Sequence, residues 1–216
     1  MYDTGLMIGQ FEPLHLGHMR SILEASGQAK TLHIVITTTP SPHPDFNITL
    51  QDKARWLQMA CADLPFIQIH TTDESELPCH EHFANNSFDT ATSSTQLQHL
   101  LDTLSLPIET ALFLADNHPL VHSPTQQQAP LAMKIVATSA QPEFDALAIA
   151  QNPIANWSAL HPQVRGDYTK TIAIVGGESS GKTTLVHKLA NHYGASFALE
   201  MGRLYVGTDL GGSEVG

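Results

Sequence analysis

The fold of the first part of this chain is indicated by the stretch Gly5-Leu6-Met7-Ile8-Gly9-Gln10-Phe11-Glu12-Pro13-Leu14-His15-Leu16-Gly17-His18. Its opening residues predict a short buried strand that ends at Gly9, and from His18 apolar residues recur at helical spacing until Gly27. A second β-rich run covers Leu32–Ile36. Strand, turn, helix and strand at this spacing form a βαβ unit, which predicts a Rossmann-like α/β domain with a parallel sheet and right-handed crossovers.

The same signals predict the later elements of the first part. A helix begins near Thr49, where Asp52 stands three residues on in the manner of a capping box. Proline-rich stretches at residues 38–48 and 123–130 are predicted loops, and no structure is assigned to the polar residues 71–95. We predict three more strands and two more helices: Phe66–Ile69, Ala111–Leu114 and Met133–Val136 as strands, and Leu97–Leu104 and Pro142–Ala150 as helices.

The domain organisation is indicated by a change in composition after residue 160. Residues 161–169 are polar and contain Pro162 and Gly166, which predicts a linker. The linker separates a first domain, residues 1–160, from a second segment, residues 170–216.

A phosphate-binding loop motif opens the second segment. Residues 176–183 fit the pattern G-x-x-x-x-G-K-[ST], between a predicted strand, Thr171–Val175, and a predicted helix, Lys182–Tyr193, which is the context the motif requires. Loop amides and the helix N-terminus would hold phosphate, Lys182 would reach the β- and γ-phosphates, and the Thr183 hydroxyl would bind Mg²⁺. The predicted phosphate-binding residues are Gly176, Gly177, Glu178, Ser179, Ser180, Gly181, Lys182, Thr183 and Thr184.

The alternative interpretation of this motif is a chance glycine-rich turn before a helix that Gly194 ends. Phe197–Leu199 is a possible further strand. Only 33 residues follow Thr183, too few for the remaining strands, the acidic metal ligand and the lid of a P-loop domain. We therefore expect phosphate binding but no kinase activity from this segment alone.

Two histidines, His15 and His18, flank Gly17 at the predicted start of the first helix. Imidazole donors and backbone N–H groups would meet there at one anion site, and a glycine lets phosphate approach the backbone. Such a site can stabilise the charge on a transferring phosphoryl group without a covalent intermediate. The alternative is that both histidines are ordinary turn and capping residues.

The pattern Gly9-x-Phe11-x-Pro13-x-His15-x-Gly17-His18 resembles the signature of the nucleotidylyltransferase superfamily. The order of that signature and the P-loop resembles the bifunctional NadR-type proteins, which join an NMN adenylyltransferase to a ribosylnicotinamide kinase. Four further segments carry the resemblance: Asp52–Leu57, Gln151–Pro153 with Trp157, Thr171–Leu185 and Glu200–Val206.

The resemblance implies a reaction in which NMN attacks the α-phosphorus of ATP, giving NAD and pyrophosphate with the help of Mg²⁺. It implies that His15 and His18 are catalytic, binding the triphosphate and stabilising the transition state. It further implies that the ATP and NMN pocket contains Gly9, Gln10, Phe11, Gly17, Arg55 and Trp56.

The chain departs from the NadR pattern at two positions where that family carries a basic residue, namely Gln10 and Ala150. Losing one charge-assisted phosphate contact typically costs about 1.5–3 kcal/mol. Two alternatives therefore stay open: a module that binds ATP or NAD without turnover, and an adenylyltransferase for another phosphorylated acceptor such as phosphopantetheine.

Weaker candidates have structural alternatives. Asp116-Asn117-His118 follows a predicted strand and could contact substrate, but a turn is the simpler interpretation. Cys79-His80-Glu81-His82 lacks a second ligand cluster at metal-site spacing. Arg55 could reach phosphate or pair with Asp52, and Trp56 could touch substrate or serve packing alone.

The charge of the chain limits its partners. The formal net charge is −11 and the pI about 5.5, so we expect no nucleic-acid partner. Neither a membrane span nor a signal peptide is apparent, and two cysteines fit a reducing cytoplasm. Because the first predicted strand begins at residue 5, we expect no DNA-binding arm before it. The expected ligands are ATP, NMN and NAD, and a homo-oligomer stays open.

Overall fold

The computed structural model describes residues 1–37, 46, 48–72, 90–116, 121, 133–139 and 143–198, with only the backbone described for residues 90–96. The chain divides into two compact units, Met1–Thr169 and Lys170–Gly216. No helix in the described ranges is long and apolar enough to cross a membrane.

The first unit is built on a five-stranded sheet in which every pairing is parallel, in the order β3-β2-β1-β4-β5. The predicted α/β class is therefore confirmed. The strands are β1 (Tyr2–Gly9), β2 (Ala29–Ile36), β3 (Ile67–Thr71), β4 (Ala111–Ala115) and β5 (Ile135–Thr138). The helices of this unit are α1 (Leu16–Ser26), α2 (Leu50–Ala60), α3 (Thr90–Thr103), α4 (Ala146–Gln151) and α5 (Pro162–Arg165).

The alternation of side chains along the strands divides the core into two layers. Met7, Ile34 and Phe113 face the layer that also contains buried residues of α1 and α2. Leu6 and Val35 point to the opposite layer, which contains buried leucines of α3. A sheet buried on both faces explains why β2 is a nearly continuous apolar run.

Two helices begin where a side chain caps their first turn. Thr49 caps α2, and its hydroxyl and the Asp52 carboxylate exchange the hydrogen bonds of the predicted capping box. The helix predicted over Pro142–Ala150 is shorter, because the Asp145 carboxylate accepts the N–H groups of Leu147 and Ala148 and starts α4 at Ala146.

The prediction of a linker at residues 161–169 is wrong for most of that stretch. Pro162 is the first residue of α5, and Val164 and Tyr168 are 0% and 3% exposed in the core of the first unit. Proline is favoured at the first position of a helix, so Pro162 marks a helix start rather than a linker. The boundary between the two units falls after Thr169.

The second unit contains one helix in its described part, α6 (Lys182–Tyr193), as predicted. Gly194 ends it with a left-handed φ of 61°. The strand predicted at Thr171–Val175 is absent, and Ile172 and Val175 are 81% and 87% exposed. A strand needs a partner for its backbone hydrogen bonds, and the described residues supply none there.

Candidate functional site

The histidine loop, residues 9–18, lies at the carboxyl end of β1. The neighbours of β1 are β2 on one side and β4 on the other, so the connections run outward in opposite directions from this point. In open α/β sheets such a switch point leaves a crevice beyond the carboxyl ends of the strands. The first βα turn therefore stands where a ligand is expected.

A constrained backbone shapes the start of the histidine loop. Phe11 has a left-handed φ of 50° and is 3% exposed, with its ring centroid 5.1 Å from that of His18. A Cβ on Gly9 would lie 3.1 Å from the Phe11 ring, closer than side chains normally pack. Strained backbone conformations of this kind cluster at functional sites, where the surrounding structure holds them.

His15 and His18 cap α1 reciprocally. The His18 backbone N–H donates to His15 Nδ1 at 3.3 Å, and the His15 backbone N–H donates to His18 Nδ1 at 3.4 Å. The two rings stack with centroids 3.6 Å apart. Because each Nδ1 is an acceptor, each neutral ring carries its proton on Nε2. The Nδ1 atoms therefore serve in capping, as the alternative interpretation expects, and the Nε2–H groups can still donate to a ligand.

One of these donors is buried without a partner. His15 is 4% exposed, and its Nε2 has no hydrogen-bond partner among the described residues. An unsatisfied buried donor costs about 1–3 kcal/mol, and such groups in folded proteins call for an explanation. A ligand oxygen in the crevice would satisfy it.

Both histidines are neutral at pH 7. Burial lowers the pKa of His15 to about 4. Burial, and then the neighbouring His15, lower the pKa of His18 well below its usual value. The pair therefore offers two neutral N–H donors to a ligand.

Gly17 is required by the packing of the histidines themselves. A Cβ at this position would lie 3.0 Å from atoms of the His15 ring and 3.0 Å from the Cβ of Phe144. The Phe144 ring in turn stacks on His15 at a centroid distance of 5.8 Å. Any larger residue would displace the His15 ring.

A buried ion pair lies behind the loop and was not predicted. Glu12 in the loop pairs with Lys53 of α2, and both side chains are 2% exposed. The other carboxylate oxygen of Glu12, Oε1, has no partner in the described structure. The helical spacing of Lys53 to Trp56 and Leu57 is the signal that could have indicated it, because it places the lysine on the buried face of α2.

Arg55 and Trp56 both have carboxylate partners in this structure. Arg55 pairs with Asp52 at 3.2 Å and with Asp167 at 2.9 Å. Trp56 is fully buried, and its indole N–H donates to Asp167 at 2.5 Å. The alternatives of ion pairing and packing thus describe both side chains here.

The two positions without the expected basic residues remain neutral. Gln10 is partly exposed at the crevice, whereas Ala150 is 7% exposed within α4. Nearby, Arg20 lies over the Phe144 ring at 5.2 Å and forms an ion pair with Glu143. The positive charge of Arg20 is therefore partly compensated by a carboxylate.

The P-loop motif lies directly before and at the start of α6. Ser179 and Gly181 take left-handed φ values of 59° and 81°, and α6 begins at Lys182. The Lys182 ammonium donates to the Gly177 carbonyl at 2.6 Å, so it lies across the loop. Thr183 follows in the first turn of α6.

The weaker candidates gain no support. The Asp116 backbone N–H donates to the Thr138 carbonyl at 2.7 Å, which extends the pairing of β4 with β5, while Asn117, His118 and residues 79–82 lie outside the described residues. The described ranges contain no group of three or more histidine, cysteine or acidic side chains that could hold a metal.

Comparison with known proteins bears on both units. Residues 6–98 match the cytidylyltransferase-like family model, and residues 171–213 match a model for an AAA domain. The chain is 30% identical to the trifunctional NAD biosynthesis/regulator protein NadR of Escherichia coli, over 98% of this chain and 52% of that protein. It is 29% identical to the NadR protein of Salmonella typhimurium, over 99% of this chain and 52% of the relative.

A crystal structure of a NadR protein with NAD and AMP-PNP superposes with a TM-score of 0.61 at 21% identity, covering 95% of this chain and 57% of that one. The chain spans about half the length of the curated relatives it matches. The resemblance to NadR-type proteins, a nucleotidylyltransferase-like domain followed by a P-loop segment, is thereby confirmed.

Proposed function

We propose that the first unit transfers the adenylyl group of ATP to NMN, giving NAD and pyrophosphate. A phosphate oxygen of NMN forms a bond to the α-phosphorus, the bond from that phosphorus to the bridging oxygen breaks, and pyrophosphate leaves with the electron pair. The similarity to NadR proteins and the place of the loop at the switch point support this reaction.

The observation that carries the proposal is the unpartnered, buried Nε2 of His15 beside His18 at the start of α1. Both rings are locked by their Nδ1 hydrogen bonds, so both Nε2–H groups are oriented before a ligand arrives. Preorganised donors of this kind stabilise the charge that develops on phosphoryl oxygens in the transition state.

The neutrality of the two rings matters to this role. A neutral imidazole whose Nδ1 already accepts a backbone N–H has its single proton on Nε2 and can donate it to a phosphate oxygen. Bound triphosphate would favour protonation and raise the pKa of both rings, since an anion stabilises the charged form. Mg²⁺ would enter with the ATP phosphates and neutralise part of their charge.

The test is pyrophosphate release by the full chain with ATP, Mg²⁺ and a panel of acceptors. We expect release with NMN, formation of NAD at equal amounts, and loss of at least about 10²-fold in kcat when His18 becomes Ala, because one preorganised donor is worth that much in related chemistry. His99→Ala, at an exposed position on α3, is the matched control. Release only with a different phosphorylated acceptor would contradict NMN as substrate.

A second function has a specific observation in its favour. Gln10 and Ala150 are neutral, and Glu143 compensates the nearby Arg20. A site with so little positive charge could bind ATP or NAD without turnover. Calorimetric binding of ATP with no product for any acceptor would establish this alternative, and measurable NAD formation would exclude it.

For the second unit, we propose phosphate binding at the P-loop without phosphoryl transfer by residues 170–216 alone. The backbone of residues 176–181 and the position of Lys182 support binding. An assay with ribosylnicotinamide and ATP checks the second half of this proposal, and formation of NMN would contradict it.

A further inference from the structure

We propose that Asp167 is a positioning residue for the histidine loop, which deepens the proposed adenylyl transfer and rests on it. Asp167 lies two residues after the end of α5, three residues before the second unit begins at Lys170. Its carboxylate accepts three hydrogen bonds from α2: two from Arg55 Nη2, at 3.0 and 2.9 Å, and one from the Trp56 indole at 2.5 Å.

These three bonds hold the turn of α2 that contains Arg55 and Trp56. The Trp56 indole N–H is fully buried, so loss of its acceptor would leave an unsatisfied donor in the core. Next to Asp167, the Tyr168 ring is 3% exposed and lies 6.2 Å from the Trp56 ring. A carboxylate and an aromatic ring thus hold the same turn of α2 together.

From α2 the contact continues into the histidine loop. Lys53 lies on the buried face of α2, and its ammonium forms the buried ion pair with Glu12. Glu12 precedes His15 by three residues, so a shift of α2 moves the carboxylate that anchors the loop. Buried charges tolerate little separation, since removing the partner of one leaves an uncompensated charge in the core.

The same segment also contacts the loop through the backbone. The Leu16 N–H donates to the Ala159 carbonyl at 2.9 Å, and the His161 N–H donates to the Leu14 carbonyl at 3.1 Å. These two bonds flank His15 on both sides. Residues 159–168 therefore hold the loop directly at one end and, through Asp167 and α2, at Glu12.

The experiment compares Asp167→Ala and Asp167→Asn in the full chain, with exposed Asp63→Ala as the matched control. Asn keeps an acceptor for the Trp56 indole but removes the charge that faces Arg55. At a temperature where every variant is fully folded, we expect kcat/KM of Asp167→Ala to fall roughly 10- to 100-fold, because misplacing a catalytic group by ~1 Å costs on that order. Asp167→Asn should fall less, and Asp63→Ala should match the unsubstituted protein.

A second measurement separates this proposal from the proposed function. The ¹⁵N resonances of the His15 ring report its environment without any reaction, and fluorescence of Trp56 in a Trp157→Phe background reports its burial. We expect both to change in Asp167→Ala and neither in Asp63→Ala. If the unsubstituted protein makes no NAD but these signals move, the reaction is wrong and the positioning stands. Unchanged His15 resonances or unchanged kcat/KM in a folded Asp167→Ala protein would overturn the proposal.

Discussion

At the scale of single residues, His15 and His18 combine two tasks that the sequence presented as alternatives. Each caps α1 through Nδ1 and keeps Nε2–H free to donate. The cap orients the rings, and the burial that keeps them neutral also leaves the His15 Nε2 without a partner in the described part of the chain. The structural role thus prepares the proposed chemical one.

The burial of His15 predicts a dependence of stability on pH. Its pKa falls from 6.5 to about 4 on folding, so between these values the unfolded chain binds more protons and stability decreases as pH falls. Above pH 6.5 this contribution is constant, and below pH 4 it is fully lost, about 3 kcal/mol at most by the linkage conversion.

Urea unfolding at pH 7 and pH 5 should show a smaller loss of stability for His15→Asn than for the unsubstituted protein, because Asn caps a helix without titrating. An equal loss in both would refute the assignment, and His99→Asn serves as the control.

Gln10 allows a test of the missing charge. Because Gln10 is partly exposed, lysine can be accommodated there, whereas arginine at the buried Ala150 would disturb the packing of α4. We expect Gln10→Lys to lower the KM for ATP about tenfold or more, since a charged phosphate contact adds roughly 1.5–3 kcal/mol. Gln51→Lys makes the same change on the exposed surface of α2 and should leave KM unchanged. Equal KM values for Gln10→Lys and the unsubstituted protein would place the triphosphate elsewhere.

At the scale of elements, α2 joins the histidine loop to the end of the first unit. Its start follows from local sequence, since Thr49 and Asp52 stand three residues apart and cap it as predicted. Its partners do not, because Lys53 reaches Glu12 and Arg55 reaches Asp167 across large separations along the chain. Helical spacing places Lys53 on the buried face of α2, but it does not identify the distant residue with which the lysine pairs.

The Glu12–Lys53 pair should show strong coupling in stability. Lys53→Met alone should destabilise the fold by about 3–5 kcal/mol, because it leaves the Glu12 carboxylate buried without compensation. The double variant Glu12→Leu with Lys53→Met should recover most of that loss, since apolar residues of similar size replace buried pairs at little cost. Urea unfolding of the single and double variants measures the coupling, and additive losses would show that the two side chains act independently.

At the scale of the whole molecule, local patterns anticipate much of the first unit and less of the chain beyond α4. The βαβ start, the parallel sheet and α6 are explained by hydrophobic spacing and glycine positions. Pro162 and Gly166 suggest a turn in a linker, yet long-range packing buries Val164 and Tyr168. The strand predicted at Thr171–Val175 has a suitable sequence but no partner in the described residues.

The difference between the two units predicts a difference in hydrogen exchange. The strands β1 and β2 each have a paired neighbour on both sides. Their amides should therefore exchange slowly, near the limit set by global unfolding. Amides of residues 171–175 have no ladder partner in the described structure and should exchange within the shortest labelling time. Mass spectrometry of peptides covering the two regions makes the comparison. Strong protection at residues 171–175 would show that this segment is paired.

The proposed reaction depends on the Nε2–H groups of His15 and His18 holding the triphosphate of ATP. A crystal structure of the full chain with a non-hydrolysable ATP analogue and Mg²⁺ tests it directly. We expect phosphate oxygens within about 2.7–3.2 Å of both Nε2 atoms, at the carboxyl end of β1. Triphosphate bound only at the P-loop, with the crevice beside the histidine loop empty, would contradict it.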